Sequence, residues 1–377
     1  MEREAIVVYA DRDPLSGVSN PGPNQTFRNP RVTLERRALD ILAPDWIRAE
    51  MLYGGVCGTD LHLVQSNPCT GYIQTSSPTS LPREGRIIGH EGIGRIVEVG
   101  SAVRHLRRGA CVAFESILAC HHCERCRRAL FNQCLNGRLL GMEQDGLFAT
   151  IADVPASAVH DVSEFVNNDD DARSLANLEP ASVALLACQR ARISSRDRVV
   201  IFGAGPIGTY CAILARVAFG AGPIHIVEPL EFRREFAVKW ADQAHAPEDF
   251  FATVSDPVDV VIEASGDLRN IDNAIRMMDA DGRIVLLARS GEPLVIKATD
   301  HIITNAISII GSRGHLGGAF NTVLKLYAQK RFNPAEIVTG VVDGLEKLRE
   351  LLSSPAKVVQ EHCKVLVKLK AAERSPS

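Results

Sequence analysis

The rhythm of apolar and polar positions changes near residue 198. Before it, short runs of strand character (Ala5–Ala10, Val32–Leu42 and Trp46–Leu52) are punctuated by Gly, Pro and Asn, which predicts a β-rich first half. Asn67–Arg86 is rich in Pro, Ser, Thr and Gly and keeps no clear period, so a loop is expected there. From Arg198 the texture is different. Arg198–Phe202 reads as a short apolar strand, Pro206–Phe219 as a helix and Ile224–Glu228 as a second strand. Val258–Glu263 and Arg283–Ala288 read as further strands separated by helical stretches. Strands alternating with helices predict a parallel, doubly wound α/β sheet. No internal repeat is visible.

Composition bounds this picture. A chain of 377 residues exceeds what one ordinary core organises, so two domains are expected. Hydrophobic residues make up 46% and charged residues 23%, the balance of a soluble globular protein. A net charge of −3 steers the molecule toward neither nucleic acid nor an anionic membrane. No apolar run approaches the roughly 18 residues of a membrane helix. The opening Met1-Glu2-Arg3-Glu4 lacks the basic and apolar regions of a signal peptide, so a cytoplasmic location is expected. The polar stretch Lys370–Ser377 is expected to fray.

Phe202 is followed by Gly203-Ala204-Gly205-Pro206-Ile207-Gly208, a GxGxxG run between a strand and a helix. The first Gly permits a tight turn, the second lets backbone approach a pyrophosphate, and the third lets helix and strand pack closely. The helix N-terminus offers N–H groups and positive dipole to the phosphates. Glu228 lies 25 positions beyond Gly203 at the end of the next predicted strand, where an acid accepts hydrogen bonds from a ribose 2′-OH and repels a 2′-phosphate. NAD is therefore expected over NADP, with Arg233 as a further cofactor contact. Arg233 and Arg234 could instead bind a phosphate or form a solvated helix face.

Four of the ten cysteines, Cys120, Cys123, Cys126 and Cys134, form C-x2-C-x2-C-x7-C. Four thiolates at this spacing close a tetrahedral shell on zinc and leave no open position, which makes such a site structural. An iron–sulfur cluster also uses four cysteines, but nothing else in the chain suggests electron relay. A DNA-binding ribbon would need the basic patch of Arg125, Arg127 and Arg128 to continue, and it does not.

Two more motifs stand apart: Gly55-Val56-Cys57-Gly58-Thr59-Asp60-Leu61-His62 and Gly89-His90-Glu91. A thiolate, an imidazole and a carboxylate make an open catalytic zinc site. Together with Glu179-Pro180-Ala181-Ser182-Val183 and Ala187-Cys188, these motifs follow the order of the zinc-containing medium-chain dehydrogenase/reductase family. The chain resembles that family from about Ala5 to Leu369, and most of all its polyol (sorbitol dehydrogenase) branch. The resemblance implies a β-rich GroES-like catalytic domain over residues 1–183 and 333–377, with a Rossmann domain over 184–332 and the site in the cleft between them. It implies Cys57, His90 and Glu179 as catalytic zinc ligands, with Glu91 as an alternative carboxylate, and hence two zinc ions per chain. Asp60 would orient the ligand imidazole, Thr59 would receive the substrate hydroxyl proton and His62 would pass it to solvent. Ser265 and Gly266 would face the cofactor ribose or nicotinamide. The implied activity is hydride transfer between a secondary alcohol (a polyol, sugar or cyclitol) and NAD, by a homodimer or homotetramer. A glucose or aldose 1-dehydrogenase would share the ligand set, and a non-catalytic binding protein would have lost it.

The chain departs from that pattern in three places. Cys57 and His90 stand 33 positions apart, longer than the family interval, with the extra length in Asn67–Arg86. Glu228 and Glu263 are only 35 apart, so a helix or strand of the cofactor domain is expected to be trimmed. The opening segment Asp11–Arg31 is long and rich in Pro, Asn and Gly.

Overall fold

The computed structural model describes residues 2–315 and 318–370; of the stretch expected to fray, all but Lys370 lies outside them. The chain divides into two compact units, one comprising the N-terminal part through Glu179, Pro334–Val359 and the segment from Lys364 on, the other Pro180–Asn333 with Gln360–Cys363.

The first unit is built on antiparallel pairing. Its larger sheet runs in the order Val159–Asp161, Cys111–Phe114, Glu91–Val99, Trp46–Val56, Lys364–Lys368, Val338–Asp343, with Ile151–Pro155 also paired to Trp46–Val56. Trp46–Val56 is buried along nearly its whole length because it has strands on both sides. Its register matters most. Gly55 pairs with Glu91 and Val56 with Val365, so Cys57, His90–Glu91 and Lys364 stand together where three strands end or begin. A smaller sheet pairs Glu2–Arg12 with Phe27–Ala38 and with Arg86–Ile87.

Two of the three departures in sequence meet here. In the insertion, the Ile73 N–H donates to the Phe27 carbonyl at 2.9 Å, and the Gln74 N–H donates to the carbonyls of His62 and Gln65. The Arg28 guanidinium lies 4.1 Å from the centre of the Tyr72 ring. Phe27, Ile73 and Leu81 share a core with Leu61 and Leu63 of the helix Gly58–Leu63. The long opening segment and the insertion therefore form one lobe that braces this short helix.

The second unit holds a six-stranded parallel sheet in the order Gln243–His245, Ile224–Val227, Val199–Phe202, Val258–Glu263, Met278–Leu286, Ser308–Gly311. That is the doubly wound order 3-2-1-4-5-6 of dinucleotide-binding sheets. The strand expected from Arg283 starts earlier, at Met278, and ends at Leu286, because pairing with its neighbours rather than apolar content sets its limits. The trimming between Glu228 and Glu263 removes no element. It is spread over two seven-residue helices, Glu231–Ala237 and Pro247–Thr253, and the three-residue strand Gln243–His245. No helix among the described residues is long and apolar enough to cross a membrane.

Candidate functional site

The buried centre of the first unit grows from that strand junction. Cys57 follows the end of Trp46–Val56 and caps the helix Gly58–Leu63, and Asp60 Oδ2 accepts the Cys57 N–H at 3.0 Å. Ligand atoms of Cys57, His90 and Glu91 all lie within 4.8 Å of one another. His90 Nδ1 faces Asp60 Oδ1 at 3.6 Å, and both atoms are buried without a hydrogen-bond partner. Turning Nδ1 toward the carboxylate leaves Nε2 facing away from it, the arrangement a metal-binding imidazole needs. Burial pushes the Cys57 thiol up, and Glu91 pushes it the same way. Two soft or borderline donors and a carboxylate, dry and with orphaned polar atoms among them, fit a zinc ion better than they fit an empty core.

Glu91 has a partner that the motifs did not announce. Lys364, fully buried at the head of an apolar strand, donates its ammonium to Glu91 Oε2 and, at 2.9 Å, to the Val56 carbonyl. Burial raises the Glu91 carboxyl, and the ammonium pulls the other way. Glu179 is buried too, but it stands outside the three-atom group. Its Oε1 accepts from Ser116 Oγ at 2.5 Å. Thr59 Oγ1 lies 3.8 Å from Cys57 Sγ, and His62, one turn further along the helix, is exposed to solvent. The protein around the His62 ring nevertheless lowers its pKa. Neither Lys364 nor Ser116 carried a signal beyond a polar residue in an apolar run.

The four cysteines of the other cluster converge in a separate lobe, with all Sγ atoms within 4.8 Å of one another. Cys123 Sγ and Cys134 Sγ are 3.8 Å apart, which matches the edge of about 3.8 Å of a tetrahedron with Zn–S bonds of about 2.3 Å. Backbone N–H groups, His122's foremost, pull the Cys120 thiol down to about 5. Burial and neighbouring thiols push Cys126 up to about 12. Packed thiols that polarise one another this way fit a metal that takes all four as thiolates.

In the second unit the glycine-rich turn joins Val199–Phe202 to the helix Pro206–Phe219. Gly203 has φ +95°, and a Cβ on Gly208 would come 1.9 Å from the Gly203 carbonyl oxygen, so both are required by the backbone. A Cβ on Gly205 would meet only the end of the Arg233 side chain, at 3.6 Å. The cradle is thus open at Gly205, while Pro206 and Ile207 begin the helix whose N–H groups face it. Arg233 Nε is buried without a partner, and its Nη2 donates to the His362 carbonyl at 3.2 Å. An open backbone cradle beside an under-used guanidinium fits a pyrophosphate.

Glu228 stands one residue past its strand, which ends at Val227. Its Oε2 accepts the Ala204 N–H at 2.7 Å and its Oε1 the Leu230 N–H at 3.0 Å, so the carboxylate grips the glycine turn itself. Arg234 donates to the Glu228 and Pro229 carbonyls. Ser265 and Gly266 follow the strand Val258–Glu263, and both give their N–H groups to the buried Glu263 Oε1, at 2.8 and 2.7 Å.

Comparisons with known proteins agree with this architecture. Residues 43–164 match the model of the alcohol dehydrogenase GroES-like domain, and residues 206–329 match that of the zinc-binding dehydrogenases. An L-threonine 3-dehydrogenase of Pyrococcus horikoshii is 32% identical over 81% of this chain and 87% of its own length. The D-xylulose reductase A of Aspergillus niger is 28% identical over 83% of this chain and 87% of its own. The crystal structure of a 2R,3R-butanediol dehydrogenase from Bacillus subtilis superposes with a TM-score of 0.79, at 23% identity over 98% of this chain and 100% of that one, and so shares the fold. With both domain models in order, each on the unit that bears its motifs, the chain belongs to the zinc-containing medium-chain dehydrogenase/reductase family, on its polyol-dehydrogenase-like side, and is a zinc-dependent alcohol oxidoreductase.

Proposed function

We propose that the protein oxidises a secondary alcohol of the polyol, sugar or cyclitol kind with NAD, and reduces the corresponding ketone in reverse. The observation that carries this reading is the buried meeting of Cys57, His90 and Glu91. Cys57 and His90 hold the catalytic zinc, with Glu91 or Glu179 as the carboxylate ligand. Bound there, zinc would supply Lewis-acid polarisation of the substrate oxygen. NAD would accept the hydride.

The chain's own residues do the rest. Asp60 fixes the His90 ring through Nδ1 and holds the Cys57 backbone. Thr59 takes the hydroxyl proton of the substrate, and His62 carries it to solvent; a lowered imidazole pKa keeps His62 able to accept near neutral pH. Lys364 balances the Glu91 carboxylate, and Ser116 holds Glu179. The first unit serves as the catalytic domain and the second as the nucleotide-binding domain. Gly203, Gly205, Pro206, Ile207 and Gly208 cradle the pyrophosphate beside Arg233. Glu228 orders the turn that meets the adenosine, and Ser265 and Gly266 line the path toward the nicotinamide. Cys120, Cys123, Cys126 and Cys134 hold a second, structural zinc.

The edge strand Ser308–Gly311 with exposed Ile309 and Ile303 supports pairing of two copies through this sheet. The cysteine-borne metal sites support a reducing, cytoplasmic setting. The test is a panel of alcohols, polyols, aldoses and aminocyclitols followed by NADH absorbance, together with elemental analysis. Turnover of at least one secondary alcohol and two zinc ions per chain are expected. Protein with two zinc ions that reduces NAD with none of them would refute the reading.

A further inference from the structure

The carboxyl edge of the parallel sheet holds two arginines that nothing above employs. The last two strands of that sheet run side by side to their ends, where Leu286 pairs with Gly311. The Ser312 N–H then closes on the Leu286 carbonyl at 3.0 Å. Arg289 lies three residues beyond the first strand end and Arg313 two beyond the second. The Arg289 loop is tied to the neighbouring strand as well, since the Leu287 N–H donates to the Glu263 carbonyl at 3.0 Å. A Cβ on Gly266 would lie 3.8 Å from Ala288 Cβ and 3.9 Å from Ser290 Cβ, so this loop runs beside Ser265–Gly266.

The position along the edge decides what such a pair can meet. In a doubly wound sheet the ligand lies across the carboxyl ends of the strands. The glycine turn and Glu228 occupy the half belonging to the first two strands of the fold, where pyrophosphate and adenosine bind. Arg289 and Arg313 stand on the opposite half, toward which the nicotinamide and the reacting carbon extend.

Their charge has no balancing carboxylate at hand. Glu263 Oε1 takes the Ser265 and Gly266 N–H groups and the Ser265 hydroxyl. Asp267 is held twice by Arg269, at 2.7 and 2.6 Å. Asp272 takes the N–H groups of Lys297 and Ala298 and an Arg276 nitrogen. Glu292, on the same loop, is exposed and pairs with neither arginine. Among the described residues, no hydrogen bond or ion pair engages Arg289. Crowding of its guanidinium and the neighbouring Arg313 charge both hold its pKa below the ordinary arginine range. Two guanidiniums that disfavour each other's charge are relieved by an anion between them, and a planar fork suits a carboxylate or a phosphate.

We propose that Arg289 and Arg313 form an anion-recognising pair, and that the preferred substrate is a secondary alcohol bearing a carboxylate or a phosphate group. This rests on the dehydrogenase reading given above and narrows its substrate class. The test uses matched substrates: a neutral polyol, and the same carbon skeleton carrying a carboxylate or a phosphate monoester. One anionic form should be favoured in kcat/KM by about tenfold or more, equivalent to about 1.4 kcal/mol. Arg289→Gln and Arg313→Gln should each cut that preference about tenfold, chiefly through KM for the alcohol, and Arg289→Lys should restore part of it. Carboxylate and phosphate arms tell the two sources of the anion apart.

A binding measurement runs beside the kinetics. Inorganic phosphate is titrated calorimetrically into zinc-loaded protein saturated with NAD, so that the glycine turn is already filled. Its affinity should fall about tenfold in either Gln variant. Wild-type protein that favours the neutral substrate, or phosphate affinity that both substitutions leave unchanged, overturns the proposal while the dehydrogenase reading stands. If no alcohol of either kind reduces NAD, that reading fails, and the phosphate titration still decides the role of the arginines.

Discussion

At the scale of single residues, the two cysteine groups have opposite consequences. Structural zinc sites contribute about 10–16 kcal/mol of apparent binding free energy, which is folding free energy. Cys123→Ser should therefore lower the unfolding temperature sharply and leave one zinc per chain. Cys57→Ser should leave the thermal transition nearly in place and lower kcat/KM by roughly a hundredfold or more, because the lost interaction stabilises charge only at the reacting oxygen. Elemental analysis, thermal melts and NADH kinetics on both variants separate the roles, and a fully active Cys57→Ser enzyme would refute the catalytic assignment. Glu228 makes a double prediction. Its carboxylate accepts the Ala204 and Leu230 N–H groups, and hydrogen bonds to a charged acceptor are worth about 1.5–3 kcal/mol. Glu228→Ala should thus raise KM for NAD about tenfold, narrow the gap to NADP beside Arg233 and Arg234, and also lower the stability of the cofactor-free protein. A variant with altered cofactor kinetics but an unchanged melt would mean that the grip on the glycine turn contributes nothing. The cysteines, His90 and the glycines were legible in sequence because spacing alone limits what such residues do. Lys364 and Ser116 were not, since their partners lie 273 and 63 positions away.

At the scale of elements, the strands Ile224–Val227 and Gln243–His245 carry a histidine pair. His225 Nδ1 and His245 Nε2 are 3.1 Å apart, with ring centres at 5.3 Å and an interplanar angle of 21°. Those separations describe two imidazoles joined end to end by one N–H···N bond, which requires one nitrogen to be unprotonated. Burial lowers the pKa of each, and the His225 charge lowers His245 further, while Asp242, Asp256 and Asp249 oppose. The sign follows directly. As pH falls through the ordinary imidazole value of about 6.5, the unfolded chain binds protons that the folded pair resists, so stability is complete above that value and declines below it. The Glu228 N–H donates to the His245 carbonyl at 2.9 Å, so loosening this strand also loosens the turn beyond it. Melts between pH 7.5 and 5.5 should show a steeper loss in wild type than in His245→Phe; equal slopes would rule out the pair as the source. The strand bearing His225 was legible from its apolar run. The three-residue edge strand was not, because a segment so short becomes a strand only when a neighbour pairs with it.

At the scale of the molecule, the edge strand Ser308–Gly311 leaves unpaired backbone beside Ile309, and Ile303, 77% exposed, lies on the helix just before it. An open edge with apolar side chains invites pairing with a second copy. A dimer is therefore expected in solution, and Ile309→Lys should shift it toward monomer in size-exclusion chromatography with light scattering; a wild-type monomer at micromolar concentration would contradict this. The sequence by itself determined the fold class, the two-part organisation, the glycine turn and the closed zinc shell, because each rests on local periodicity or on ligands within fifteen positions of one another. Only the tertiary structure decided that Glu91 stands beside Cys57 and His90 while Glu179 turns to Ser116. It alone brought the opening segment and the insertion into one lobe behind the helix Gly58–Leu63, and two arginines from different strands to one half of the sheet edge. The physical reason is common to all three. Strand register and side-chain rotamers choose among partners that are remote in the chain, and one residue of slip would send each side chain to the opposite face.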